Sequence, residues 1–165
     1  MNFRFIVYRI TTGLALFVSG LFSFTLFSSV LVLGVNIGVI IFLLLQVACF
    51  IHSVYSLYLQ RSLQAPEIPL KEGTPGAIRV FGGLGLVFGL LLIFCGLTAL
   101  MATPQQLQEA LQQYPEENRN TIQLSLLKPI GILCLAMGGL FAANITMSFR
   151  FLREWQQRDN QSKEE

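Results

Sequence analysis

ITTGLALFVSGLFSFTLFSSVLVLGVNIGVIIFLLLQVACFIHSVYSLYLQ, residues 10–60, decides how the chain is to be read. These 51 residues contain no Asp, Glu, Lys or Arg. A single helix of that length would reach roughly 77 Å, whereas the hydrocarbon core of a bilayer is about 30 Å thick and is crossed by about 20 residues. The run must therefore fold back on itself. LGVNIG, residues 33–38, supplies the turn, because two glycines and an asparagine tolerate left-handed backbone best. The first span is expected near 10–33 and the second near 37–59.

The rest of the chain follows the same rule. Of its 165 residues 53% are hydrophobic and only 12% charged, with a mean hydropathy of +0.62. A soluble domain carries about 25% charged residues to cover its surface. Two further charge-free runs, 80–108 and 129–149, lie downstream. They place a third span near 79–102, closed by Thr103-Pro104, and a fourth near 127–149, entered through Lys128-Pro129. None alternates as barrel strands would, and a membrane admits only elements whose backbone is internally hydrogen-bonded. The expected fold is an all-α integral membrane protein, a four-transmembrane-helix bundle of two helical hairpins forming one membrane domain over residues 1–165. MNFRFIVYR and its apolar continuation resemble a secretory signal, but the run passes 20 residues without a small-residue cleavage site, so it reads as an uncleaved first span.

Lys and Arg set the orientation. Arg4, Arg9, Arg61, Lys71, Arg79, Arg150, Arg153, Arg158 and Lys163 fall on one side of such a bundle, and only Arg119 and Lys128 on the other. Cytoplasmic loops carry the excess of Lys and Arg, which places both termini in the cytoplasm, most simply at a bacterial plasma (inner) membrane. The same flanking positions account for the net charge of +2, so the basic residues point to the lipid bilayer and not to nucleic acid.

The two hairpins share a pattern. Arg9-x3-Gly13-Leu14-x-Leu16 matches Arg79-x3-Gly83-Leu84-x-Leu86 at an offset of 70, and Ile37-Gly38 matches Ile130-Gly131 at 93, which is compatible with a duplication or with the recurrence of Gly and Leu in apolar helices. Between them, residues 60–76 hold Pro66, Pro69 and Pro75 and read as an extended connector. On the outer side, Thr103, Pro104 and Gln106 start a short amphipathic helix over 104–114 with Leu107, Ala110, Leu111 and Tyr114 on one face, stopped by Pro115. In the tail, Trp155 among Arg150, Arg153 and Arg158 reads as an interfacial anchor, and residues 160–165 as disordered.

No charged group lies deep in a span, which argues against a pump, an ion-coupled carrier or a voltage sensor. What the spans do carry is a polar seam. Gln46, Cys49, Ser53 and Ser56 recur every three or four residues on one face of span two, with His52 at its edge. Counting rise per residue puts Asn144 of span four near the depth of His52, and Ser23 of span one within reach of Gln46; Ser19, Ser28 and Ser148 are further partners. Cys49 and His52 resemble half of a metal site, but the remaining thiols, Cys95 and Cys134, lie roughly 22–24 Å into their spans against roughly 9–14 Å for that pair. A haem would need a second axial ligand, and only Met147 is at a suitable depth. No metal, haem or other cofactor and no catalytic residue is expected, and the chain does not read as an enzyme. Asn144-Ile145-Thr146 spells a glycosylation sequon but lies inside a span, where it cannot accept a glycan. Gly82, Gly85, Gly89 and Gly96 line one face of span three in the spacing of close helix contact, with Gly138 and Gly139 of span four as facing candidates.

These features fit a non-enzymatic membrane protein acting by helix association as an accessory or assembly subunit, with itself or another membrane protein as partner. The alternative is a small carrier or channel for an uncharged solute, using the seam as its wall.

Overall fold

The computed structural model describes residues 3–33, 37–65, 67–112 and 124–164, and among these the chain forms five helices and no strand. They are α1 (Phe3–Leu33), α2 (Ile37–Gln64), α3 (Thr74–Met101), α4 (Pro104–Gln112) and α5 (Leu124–Glu164). Four of them are long and apolar enough to cross a membrane, over Phe3–Ser28, Ile37–Gln64, Thr74–Met101 and Leu126–Gln161. Gly34, Val35 and Asn36 of the expected turn lie outside the described residues, as do Tyr114, Pro115, Arg119 and the side chains of Leu107, Ala110 and Leu111.

Each long helix outruns the apolar stretch that marked it. Helix α2 continues to Gln64 and α3 begins at Thr74, so the connector shrinks to residues 65–73, and Pro75 sits in the first turn of α3. There its missing N–H costs nothing. Gly73, at φ +85°, provides the left-handed residue that lets the chain enter α3. Helix α5 is the largest departure. It passes through Pro129 and runs unbroken to Glu164, so the expected disorder over 160–165 is replaced by helix through that residue. Its tail is rich in Gln, Arg and Glu, which are polar but good helix formers.

The start of α4 follows the sequence closely. The Gln106 backbone N–H donates to Thr103 Oγ1 at 3.3 Å, and the Thr103 N–H donates to Gln106 Oε1 at 2.9 Å. This reciprocal capping box satisfies donors that a helix start leaves open.

Along every long helix the buried positions repeat in alternating steps of three and four. They are Tyr8, Thr12, Ala15 and Ser19 on α1; Gln46, Cys49, Ser53, Ser56 and Gln60 on α2; Ile78, Gly82, Gly85, Gly89, Leu92 and Gly96 on α3; and Gly138, Phe141, Ile145, Ser148 and Leu152 on α5. A mean period of 3.5 is that of knobs-into-holes packing. Helix α2 carries a second such stripe, Ala48, His52, Leu59 and Ser62.

The chain divides into two compact units, Met1–Phe88 with Leu140–Glu165, and Gly89–Gly139. The first has an apolar core at its basic end, where Tyr8, Leu59, Ile78, Phe151 and Leu152 are buried together. Tyr8 and Phe151 stack with ring centroids 4.9 Å apart, and Phe5 meets Phe151 edge-on at 5.7 Å. Trp155 packs against this core and donates its Nε1–H to Ser62 Oγ at 3.0 Å, while the Ser62 hydroxyl donates to the Ile68 carbonyl at 3.0 Å. The tryptophan expected as a lipid anchor thus also pins the α2–α3 connector.

Glycine makes the close approaches in both units. In the first, a Cβ on Gly82 would stand 2.6 Å from the ring of Phe149, and one on Gly85 would stand 3.0 Å from Ile145 and 3.1 Å from the Cys49 sulfur. In the second, Gly96 and Gly131 press backbone on backbone: a Cβ at Gly96 would be 2.7 Å from the Gly131 carbonyl oxygen. Gly138 stands in the same relation to the Gly89 carbonyl, at 2.6 Å, whereas the neighbouring Gly139 is exposed and meets nothing within 4 Å. Gly96→Ala is expected to lower the thermal unfolding midpoint in detergent, at a cost of about 1–3 kcal/mol, because no side-chain rotation relieves a clash with backbone. Gly13→Ala, at an exposed glycine with open space around it, is expected to leave the midpoint unchanged or raise it.

Candidate functional site

The polar side chains inside the first unit gather into one buried seam. Gln46, Cys49, His52, Ser53, Ser56 and Asn144 are each at most 1% exposed. They reach that position because the three-four spacing of α2 puts all five of its members toward the helices it packs on.

Two nodes hold the site, each joining α1, α2 and α5. At the first, the Gln60 side-chain amide donates to Thr12 Oγ1 at 2.7 Å, and the Thr12 hydroxyl donates to Asn144 Oδ1 at 2.7 Å. Gln60 also points its amide at the Tyr8 carbonyl at 3.4 Å. At the second, the Ser148 hydroxyl of α5 lies between the Tyr8 hydroxyl at 3.0 Å and the Ser56 hydroxyl at 2.8 Å. Ser56 in turn lies 3.3 Å from His52 Nε2 and 2.9 Å from the His52 carbonyl. A line of three hydroxyls therefore ends on an imidazole.

The remaining seam residues make simpler contacts. Gln46 donates to the Ser19 carbonyl of α1 at 3.3 Å, not to Ser23, the partner expected from depth. The Ser23 hydroxyl oxygen is buried and without a partner among the described residues. Ser53 bonds back to the Cys49 carbonyl at 2.9 Å, as membrane-buried serines commonly do. The Cys49 thiol faces the Gly85 carbonyl of α3 at 3.9 Å. Asn144, matched to His52 by depth, is held instead by Thr12. His52 has the Phe149 ring against its edge, with centroids 6.3 Å apart. Its Nδ1 is buried and has no hydrogen-bond partner among the described residues, although the backbone of Ile78 lies beside the ring.

Tyr8, Thr12 and Gln60 escaped the sequence reading. All three lie at or beyond the ends of the apolar runs, where hydropathy assigns flanks. The signal that finds them is the heptad phase, because Gln60 continues the 46, 49, 53, 56 series and Tyr8 and Thr12 continue upstream from Ala15 and Ser19.

The site is chemically neutral. Its members are hydroxyls, amides, one thiol and one imidazole, able to exchange hydrogen bonds but holding no carboxylate or ammonium. Among the described residues no three His, Cys, Asp or Glu side chains gather to hold a metal ion. All three cysteines are free, with Cys49 buried, Cys95 exposed and Cys134 between the two.

Hydrogen bonds between membrane helices contribute about 0.6 kcal/mol each, and at most about 1.7. Thr12→Val keeps the shape of the side chain but strips Asn144 Oδ1 of its donor and leaves Gln60 only its longer bond to the Tyr8 carbonyl, so it is expected to lower the unfolding midpoint in detergent. Thr146→Val is its control. That hydroxyl is exposed and bonds only the Ala142 carbonyl of its own helix at 2.7 Å, so its loss is expected to change the midpoint little. No protein-family model, curated protein or solved structure matches the chain.

Proposed function

We propose that the chain is an integral protein of a bacterial plasma membrane, its four spans arranged as two helical hairpins with both termini in the cytoplasm. It acts by helix association as an accessory or assembly subunit of a larger membrane assembly or of its own oligomer. The observation that carries this reading is the closure of the polar seam. Its six candidate residues are buried to 1% exposure or less, and each makes at least one hydrogen bond within the helices. A seam of this kind stabilises a fixed arrangement of helices. It presents no charged group for coupling to an ion or a proton.

The orientation rests on the nine basic residues at one end of the chain's spans against two at the other. The two helices with the most exposed apolar faces, α1 through Phe17, Leu21 and Phe24 and α3 through Val87, Leu90 and Phe94, offer lipid or a partner helix a smooth surface.

A second reading, a narrow path for an uncharged solute, has one observation in its favour. Among the described residues His52 Nδ1 is buried beside the seam without a hydrogen-bond partner, as a donor or acceptor awaiting a passing molecule would be. Purification from native membranes in mild detergent separates the two. The assembly reading expects a stoichiometric second protein or a homo-oligomer, and an isolated monomer with solute flux in liposomes would overturn it. Under the assembly reading His52→Ala is expected to weaken that association or the fold, as read by size-exclusion chromatography. A change confined to solute flux would instead favour the path.

A further inference from the structure

The basic end of the first unit holds a cleft of about 270 Å³ between α3 and α5, lined by Arg79, Phe149, Leu152, Arg153 and Gln156. Its rim and floor differ in chemistry. Arg79 and Arg153 stand at the rim, both exposed, and Phe149 and Leu152 form an apolar floor. The Arg79 guanidinium is oriented by Gln156, donating to its Oε1 at 3.0 Å. A guanidinium has five N–H donors, so most of them stay open.

Neither arginine has an acidic partner among the described residues. The nearby Glu154 is taken by Arg150, at 3.4 Å on the same helix. Two cations share one cleft without a counter-charge, and an anion placed between them relieves their repulsion. The guanidinium fork matches the oxygens of a phosphate in particular.

The surface next to the cleft points to the source of that phosphate. Gly83 lies one turn from Arg79 toward the apolar part of α3, and Val80 beside it is exposed. Gly83 is itself exposed, and a Cβ there would meet nothing within 4 Å. The α3 surface below Arg79 is therefore apolar and open to an acyl chain.

We propose that this cleft binds the headgroup phosphate of an anionic phospholipid, with Arg79 and Arg153 on the phosphate and an acyl chain along the open apolar surface of α3 at Gly83. Basic pockets between membrane helices are favourable places for such headgroups. The site is independent of the assembly reading and rests only on these helices crossing a bilayer.

The test uses the purified full chain in a neutral detergent, titrated with phosphatidylglycerol, phosphatidylcholine or inorganic phosphate. Bound lipid is counted by native mass spectrometry and stabilisation is followed by thermal shift. Phosphatidylglycerol is expected to bind and stabilise, and the other two to do neither. Arg79→Gln and Arg153→Gln are each expected to raise the half-saturating lipid concentration about fivefold. Gly83→Leu, which puts bulk on the open surface beside Arg79 and keeps both charges, is also expected to raise it, whereas Arg150→Gln leaves it unchanged. Equal binding of phosphatidylcholine, or wild-type titration by both glutamine variants, would overturn the site. An equal response to inorganic phosphate would show a free-anion site and overturn the lipid assignment. The wild-type comparison of the three ligands stands even where a variant fails to fold.

Discussion

A polar side chain inside a bilayer has no water to turn to. That constraint governs the arrangement of α1, α2 and α5 in the first unit. Thr12 shows it most plainly: one hydroxyl accepts from Gln60 and donates to Asn144, so a single oxygen ties three helices. One helical turn away, Tyr8, Ser148 and Ser56 repeat the connection with three hydroxyls. Sliding any of these helices by a residue would leave several buried polar groups unpaired at once, each at a cost of about 1–3 kcal/mol. The nodes therefore act mainly as a register device. Their net contribution to stability is modest, and the penalty for getting them wrong is large.

Glycine supplies the second means of holding helices together. Lipid tails are as apolar as leucine, so burial of apolar surface drives membrane helices together only weakly, and close van der Waals packing takes its place. Gly82 and Gly85 in the first unit, and Gly96, Gly131 and Gly138 in the second, let neighbouring atoms come nearer than any side chain would allow. The two means meet at two seam residues: the Cε1 of His52 would stand 3.0 Å from a Cβ on Gly82, and the Cys49 sulfur 3.1 Å from one on Gly85.

The four long apolar helices were legible because a run of about 20 residues without charge has few other physical explanations. The capping box at Thr103 and Gln106 was legible because its chemistry is local. Helix ends were not, for hydropathy marks where the bilayer stops and not where helical hydrogen bonding stops. Gln60–Gln64 and Gln156–Glu164 are largely polar and still helical. The seam on α2 was readable from spacing alone, yet its partners were assigned by depth, a coordinate too coarse to tell Ser19 from Ser23 or to find Thr12. Trp155 likewise looks like an anchor because its surroundings suit one, while its bond to Ser62 depends on how α2 and α5 pack, which sequence pattern does not encode.

The glycine contacts differ in what lies opposite them, and this has a consequence for how the chain can change over time. Opposite Gly82 is the ring of Phe149, a side chain that can itself be exchanged for a smaller one. Position 82 is thus open to paired substitution: volume added on α3 can be removed on α5. Opposite Gly96 and Gly138 are the carbonyl oxygens of Gly131 and Gly89, which every amino acid carries. No second-site suppressor can withdraw a carbonyl. Genetic drift can renegotiate the first contact in two coordinated steps, whereas the other two allow relief only through movement of the helices themselves.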